Sequence, residues 1–478
     1  MSTNSIAIDN QDPIIAQATP SGKGGIGVIR ISFGRASPLA NDFIKTLINQ
    51  NLSPRHALYT PFYSENGDVL DKGIALYFPA PYSYTGESVL ELQGHGGPIV
   101  QQLIMRACLS AGRLINLRIA QPGEFTQRAF FNNKIDLAQA EAVADLIEAN
   151  TEAAARSASR SLDGAFSRTI VSLVDQLVML RILVEASMDF PEEEIDHLQA
   201  GDASGQLNII KKTLEDVLLR AQQGVLLRDG LTVVLSGRPN AGKSSLLNAL
   251  AGIECAIVTA IAGTTRDKIQ QSIQINGIPI HIVDTAGLRQ TSDEIELIGI
   301  TKTWEAIKNA DVILHMIDAS AIVANDLAQD KAIADKLPNH LPIIRVINKI
   351  DIHQPTHTKQ LFYSHFKNNE GDKVVEISAK TGAGIDQLRR TLIETAGASF
   401  EKTNESQDIF VARERHLEQL RITAKHLDDA KLYSSRIESI ELFAEHLRLA
   451  QQALSEITGE FTNENLLGAI FSRFCIGK

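Results

Sequence analysis

Cysteine is scarce in this 478-residue chain: Cys108, Cys255 and Cys475 are the full set, and none lies in a CxxC or Cys/His spacing. That argues against a disulfide framework and against a cysteine-based metal site, and makes a reducing compartment the default. Long apolar runs are also missing; no stretch approaches the roughly 18 residues of a membrane span. The segment from Met1 to Gly25 holds Asp9 and Asp12, no arginine and no continuous apolar core. It matches neither a secretion signal nor a transit peptide, so a cytoplasmic protein without a membrane partner is expected. Net positive charge is absent as well. A formal charge of −11 argues against a surface that attracts nucleic acid everywhere, and against DNA as a partner. It leaves room for a local basic patch facing RNA.

What is present is ordinary globular material, 44% hydrophobic and 22% charged. At roughly 150 residues per domain, two to four domains are expected. From Ile14 to about Phe131 the texture is mixed. Gly27–Ser32 and Ser88–Leu92 alternate like strands, Pro98–Ala111 has helical spacing, and Gly/Pro clusters separate them, which predicts an α+β domain over residues 1–133. Residues 134–229 are rich in Ala, Leu and Glu with helical periodicity. Within them Asp189–Asp196 reads as a helix start, with Pro191 at the first position, or else as an acidic ligand site.

Five β-type runs follow, Leu231–Ser236, Ile280–Val283, Val312–Ile317, Ile343–Ile347 and Val374–Ile377, each closed by a polar loop. Asn276-Gly277 between Gln271–Ile275 and Ile278–Val283 is a hairpin signal, giving one antiparallel edge strand in an otherwise parallel sheet. Helical texture returns over residues 399–478. The simplest topology inserts an α/β domain, residues 230–398, into a discontinuous α-helical domain.

The strand Leu231–Ser236 runs into Gly237-Arg-Pro-Asn-Ala-Gly-Lys-Ser244, which matches GxxxxGK[ST] between a strand and a helix. Glycines let backbone N–H groups curl around phosphate oxygens, and the following helix N-terminus adds favourable potential. Asn240, Ala241, Gly242, Lys243, Ser244 and Ser245 are therefore candidate phosphate-binding residues, with Lys243 on the β- and γ-phosphates and Ser244 on Mg²⁺. The remaining loops fall in order. Thr264 and Thr265 offer a second hydroxyl for Mg²⁺, and Asp284, Thr285, Ala286 and Gly287 close a strand near the metal and γ-phosphate. Asn348, Lys349 and Asp351 supply a carboxylate that accepts both N1–H and N2–H of guanine, a donor pair that adenine lacks. Ser378, Ala379 and Lys380 match the second base loop. The expected domain is a Ras-like P-loop GTPase, but its water-orienting glutamine is replaced by Leu288, which neither orients water nor accepts a proton. Arg289 follows without an evident role, so a carboxylate within Asp293–Glu296 has to serve.

Across its whole length the chain resembles the MnmE (TrmE) family of tRNA-modification GTPases. The resemblance rests on Ala16–Pro20, Tyr84-Thr-Gly-Glu87, Glu91-Leu-Gln-Gly-His-Gly-Gly97, Pro122-Gly-Glu-Phe125, Ile261-Ala-Gly-Thr-Thr-Arg-Asp267, Ile457-Thr-Gly-Glu460 and the terminal Phe474-Cys-Ile-Gly-Lys478. It implies a folate-binding, dimerising N-terminal domain and a K⁺-activated GTPase. It also implies a partner, MnmG (GidA), with which an aminomethyl-type group is installed on carbon 5 of the wobble uridine of certain tRNAs.

Several site residues follow only from that resemblance. The K⁺ site would comprise Asn240, Thr259, Ile261 and Thr264 within a nucleotide loop that includes Ala260, Ala262 and Gly263. Asn240 alone would read as a turn residue that tolerates unusual dihedrals. Glu296 matches the family's catalytic carboxylate; by itself it would read as a solvated helix charge. Arg30, Glu91, Lys134 and Lys478 match positions for a reduced folate, 5-formyl- or 5,10-methylene-tetrahydrofolate, though each alone would pass for a surface charge. Glu91 can pair with a pterin as Asp351 does with guanine, and cations suit the folate tail. His95 is a site residue or a loop residue. Cys475 is implicated in the modification chemistry, with packing inside a docked tail as the alternative; Cys108 and Cys255 read as packing residues. The competing function is a GTP-dependent ribosome-assembly factor. That class normally carries an added RNA-binding module such as a KH domain with its GxxG loop, which the C-terminal region lacks.

Overall fold

Two six-stranded sheets carry the architecture in the computed structural model, which describes residues 11–189, 202–251, 270–284, 310–323, 327–338, 341–352, 373–395, 409–434, 439–460, 464–472, 474–475 and 477. The chain divides into two compact units, one of residues 1–144, 170–174 and 451–478, the other of 145–169 and 175–450.

In the first unit the strands are β1 (Ile14–Gln17), β2 (Gly24–Ser32), β3 (Leu58–Tyr63), β4 (Val69–Phe78), β5 (Val89–Gly96) and β6 (Arg118–Ile119). They lie in the order β3-β4-β5-β2-β1-β6, antiparallel except for β1 with β6. Strand alternation sends Ile29 and Ile31 inward, where they join Leu90, Leu92, Phe33 and residues of the helices Ala40–Ile48 and Pro98–Ala111. Arg30, between those isoleucines, is turned to the opposite face by the same period of two. The C-terminal helix Glu464–Phe471 belongs to this unit; Leu467, Ile470, Phe471 and Phe474 pack with Leu137, Ala140 and Ala144.

In the second unit the strands are β7 (Leu231–Gly237), β8 (Gln270–Ile275), β9 (Ile278–Asp284), β10 (Val312–Asp318), β11 (Ile343–Asn348) and β12 (Lys373–Glu376). Their order is β12-β11-β10-β7-β9-β8. All neighbours are parallel except the β8–β9 hairpin. Asn276 and Gly277 take φ of 51° and 83°, the left-handed pair that a two-residue hairpin requires. The central parallel strands are covered on both faces, which is why they read as near-continuous Val/Ile/Leu runs.

Helices Ala203–Asp229 and Glu414–Tyr433, from either side of this sheet in sequence, pack on one another. Asp145 joins the segments, accepting from Arg228 and from Arg413 at 2.7 Å each. Thr151 caps the helix Glu152–Leu162 and its hydroxyl donates to the Gly277 carbonyl at 3.0 Å. The fold is thus an α+β domain, a discontinuous helical domain and an inserted α/β P-loop domain. The expected helix start at Asp189–Asp196 and the Cys255 position lie outside the described residues apart from Asp189 itself, which ends the helix Ala165–Asp189.

Candidate functional site

β7 ends at Gly237, the loop turns through Gly242, and the helix Lys243–Ala251 starts at once. The turn needs left-handed backbone: φ is 143° at Gly237, 63° at Asn240 and 97° at Gly242. A side chain on Gly237 would strike the Met316 carbonyl, and one on Gly242 would strike the Asn348 amide. Only glycine fits both positions. Lys243 donates from Nζ to the carbonyls of Gly237 at 2.9 Å and Arg238 at 3.1 Å, so its cation lies across the mouth of the loop. Ser244 and Ser245 occupy the first helical turn, where backbone N–H groups lack intrahelical acceptors and favour an anion.

The base loops are tied to this cradle by one buried side chain. Asn348, at the end of β11, donates from Nδ2 to the Ala241 carbonyl at 2.8 Å and accepts the Ala379 N–H on Oδ1 at 3.0 Å. Ser378 is buried and donates its hydroxyl to Asp351 Oδ1 at 2.7 Å, fixing one oxygen of the carboxylate expected to read guanine. Lys349 has φ of 70° and places Nζ 2.6 Å from Asp318 Oδ2. Burial alone would raise the Asp318 pKa, but hydrogen bonds from Lys349 and the Ser320 N–H outweigh it and hold the carboxyl below its usual value. Asp318 was missed in the sequence; its only signal is its place at the end of β10, beside β11. Lys380 follows in the same turn as Ala379.

Asp284 ends β9, with its backbone in register with Leu235 of β7. Thr259, Ala260, Ile261, Ala262, Gly263, Thr264, Thr265, Thr285, Ala286, Gly287 and Glu296 lie outside the described residues.

The N-terminal sheet brings a second group together. Arg30 and Glu91 face each other across β2 and β5 and form an ion pair at 2.8 Å. The Arg30 guanidinium lies 5.9 Å from the Tyr84 ring centroid and 6.0 Å from that of Phe125, within cation–π range. Burial raises the Tyr84 pKa, against a hydrogen bond with Thr126 and the nearby Arg30 charge. Lys134 donates to the Pro81 carbonyl at 3.1 Å.

The C-terminal tail runs along this region. The Gly123 N–H donates to the Cys475 carbonyl at 3.4 Å, and Gly477 lies against Gln17, next to Ala16, the cross-strand partner of Arg30. Cys475 is exposed, whereas Cys108 is buried and its thiol is pushed up to about 12 by desolvation, as a packing residue should be. Lys478 lies outside the described residues. His95 is paired with Asp71 at 2.7 Å, its imidazole largely in solvent.

Two motif segments of this region also do structural work that the sequence did not signal. Arg128, fully buried, binds Glu87 at 2.9 Å, Glu124 at 3.0 Å and the Asp12 carbonyl at 2.6 Å. Ser32 donates to Glu87 at 2.6 Å and shares a hydrogen bond with Thr85 at 2.8 Å.

Comparison with known proteins gives matches along the chain. The family described as "GTP-binding protein TrmE N-terminus" matches residues 13–134, and the one described as "MnmE helical domain" matches residues 137–475. Among curated relatives, a tRNA modification GTPase MnmE of Burkholderia lata is 58% identical over 98% of this chain and 99% of its own length. Its counterpart in Paraburkholderia xenovorans is 56% identical over the same shares. A crystal structure of an Aquifex aeolicus Era variant bound to GDP.AlF4- is 31% identical over 41% of this chain and 66% of that one, with a TM-score of 0.30.

Proposed function

Because the chain belongs to the MnmE (TrmE) family of tRNA modification GTPases, we propose that it hydrolyses GTP in the service of tRNA modification. The observation that carries the nucleotide half is the double hydrogen bond of Asn348, which ties the phosphate loop to the base loop. With that spacing set, Asp351 accepts N1–H and N2–H of guanine while Ser378 holds its other face. Adenine would leave the carboxylate unpaired, a mismatch worth a factor on the order of 10⁴. Lys243 bridges the β- and γ-phosphates and the N–H groups of the first helical turn receive the remaining oxygens.

The hydroxyl of Ser244 at the helix start, beside the phosphate cradle, would hold Mg²⁺ together with Thr265. Asn240, at its left-handed turn, together with Thr259, Ile261 and Thr264, would hold K⁺. When bound, the monovalent ion supplies positive charge where phosphate charge develops, the part played elsewhere by an arginine finger. Glu296 takes over the orientation of water that Leu288 is unable to provide.

For the modification half, we propose that the first unit binds a reduced folate, 5-formyl- or 5,10-methylene-tetrahydrofolate. Glu91 would receive the pterin donors, the Tyr84 and Phe125 rings flank Arg30, and Lys134 and Lys478 attract the glutamate tail. Working as a homodimer in the cytoplasm with MnmG, the protein would install an aminomethyl-type group at carbon 5 of the wobble uridine. Mass spectrometry of tRNA nucleosides from a deletion strain, with and without this chain restored, tests the proposal. Unmodified wobble uridine rescued by the chain is expected. Normal nucleosides alongside accumulated ribosome precursors would instead identify a ribosome-assembly factor.

A further inference from the structure

Two histidines and an aspartate converge far along the sequence from every loop discussed above. His426 and Asp429 are three residues apart on the helix Glu414–Tyr433, which puts them on one face. His446 comes from the next helix, Ile440–Thr458. One ligand atom from each of the three lies within 4.8 Å of the others. The two Nδ1 atoms are 3.3 Å apart. Two imidazole nitrogens bound to one tetrahedral Zn²⁺ at about 2.0–2.1 Å are themselves about 3.3 Å apart.

We propose that His426, Asp429 and His446 form a zinc-class metal site that clamps these two helices together. A bare hydrogen bond between the imidazoles would also bring the nitrogens close, but it would not call for a carboxylate within reach of both. Two imidazoles and one carboxylate are the N₂O donor set that suits Zn²⁺, and the nitrogens disfavour Mg²⁺, which takes oxygen. Tyr433 stacks on the His446 ring, centroids 5.6 Å apart and planes 8° from parallel, and so fixes the imidazole plane. The neighbouring Glu445 is held by Arg448 through both oxygens at 2.8 Å. Among the described residues the donor set is therefore these three, which leaves one position of a tetrahedral ion for water. All three residues are only partly buried, so an ion can reach them from solvent.

The test uses the purified full-length chain, stripped by chelator and titrated with ZnCl₂ in buffer containing Mg²⁺ and GDP. About one tight Zn²⁺ per chain is expected, together with a higher thermal midpoint and, with Co²⁺, the visible absorption of a low-coordinate site. His426→Ala and His446→Ala should each weaken binding by about 10-fold or more and abolish the thermal shift, while helicity by circular dichroism stays unchanged. Absence of Zn²⁺ uptake by the wild-type chain overturns the site. So does equal uptake by the double variant, which would assign the metal to other groups.

Discussion

The Nδ2 amide of Asn348 donates a 2.8 Å hydrogen bond to the carbonyl of Ala241 in the phosphate loop. The same side chain accepts the Ala379 N–H at 3.0 Å and is almost fully buried. Asn348→Ala would strip both contacts, leaving the carbonyl of buried Ala241 and the N–H of half-buried Ala379 without this partner, the buried one at a cost of about 1–3 kcal/mol. The variant should bind GDP at least about tenfold more weakly and unfold at lower urea concentration. Wild-type affinity by calorimetry would show that the two loops keep their spacing without it.

Asp351 should set the choice of base. Asp351→Asn replaces an acceptor pair with one acceptor and one donor, which suits xanthine better than guanine. GTP affinity should fall and xanthosine triphosphate affinity rise, measured in competition for the same site. The Ser378 hydrogen bond to Asp351 can persist with the amide oxygen, so the switch does not require refolding. Unchanged GTP affinity would overturn the assignment.

Much of this site was legible because its residues cluster at strand ends. β7, β10 and β11 are apolar runs that stop at Gly237, Asp318 and Asn348, and the loops that follow hold the motif residues. Asn276-Gly277 marked the β8–β9 hairpin for a local reason, since both must take positive φ. What could not be read is nonlocal. The Arg128 network joins residues up to 116 positions apart, and neither arginine nor glutamate in those segments differs in type from a surface charge. By residue type Asp318 is an ordinary strand-end carboxylate, and only its nonlocal pairing with Lys349 sets it apart. His426 and His446, 20 positions apart, share no motif spacing and meet only because two helices pack.

His315 predicts an acid-side loss of stability. It is fully buried in β10, beside Ser236 of β7 and Arg345 of β11. Neither ring nitrogen has a hydrogen-bond partner among the described residues. Desolvation first, and the Arg345 charge second, lower its pKa to about 3, from an ordinary 6.5. The unfolded chain therefore takes up a proton near pH 6.5, which the folded chain resists until about pH 3. Between these values the unfolded state holds the extra proton, so stability falls as pH falls, by at most about 1.4 kcal/mol per pH unit. Urea midpoints from pH 7 to 5 should drop for the wild type and drop less for His315→Leu. Parallel pH dependence in the two proteins would remove His315 as the cause.

Asn240 offers a test of the monovalent cation. If its side-chain oxygen helps to hold K⁺, hydrolysis should run well faster in K⁺ than in Na⁺ at equal ionic strength. Asn240→Ala should erase the difference while GDP still binds, because the phosphate cradle is built from backbone N–H groups and Lys243. Its φ of 63° is a mild penalty for alanine, about 1 kcal/mol, so a nucleotide-binding control belongs beside the rate. Equal wild-type rates in the two salts would rule out the potassium mechanism.

Cys475 separates chemistry from architecture. The tail carrying it is held by groups other than the thiol: Phe471 and Phe474 in an apolar cluster, the Gly123 N–H on the Cys475 carbonyl, and Gly477 against Gln17. Cys475→Ser preserves each of these, and the thiol itself is exposed, so no cavity opens in the core. The substituted protein should keep its fold and match the parent chain in folate binding and in GTPase rate with and without K⁺. It should fail to support wobble-uridine modification, because a serine hydroxyl is a far weaker nucleophile than a cysteine thiolate. Nucleoside mass spectrometry from cells carrying only this variant, run beside its GTPase rate in vitro, separates the possibilities. Normal modification would eliminate an essential thiol. Loss of both activities would mean that the side chain serves the docking of the tail, despite the contacts that hold the tail without it.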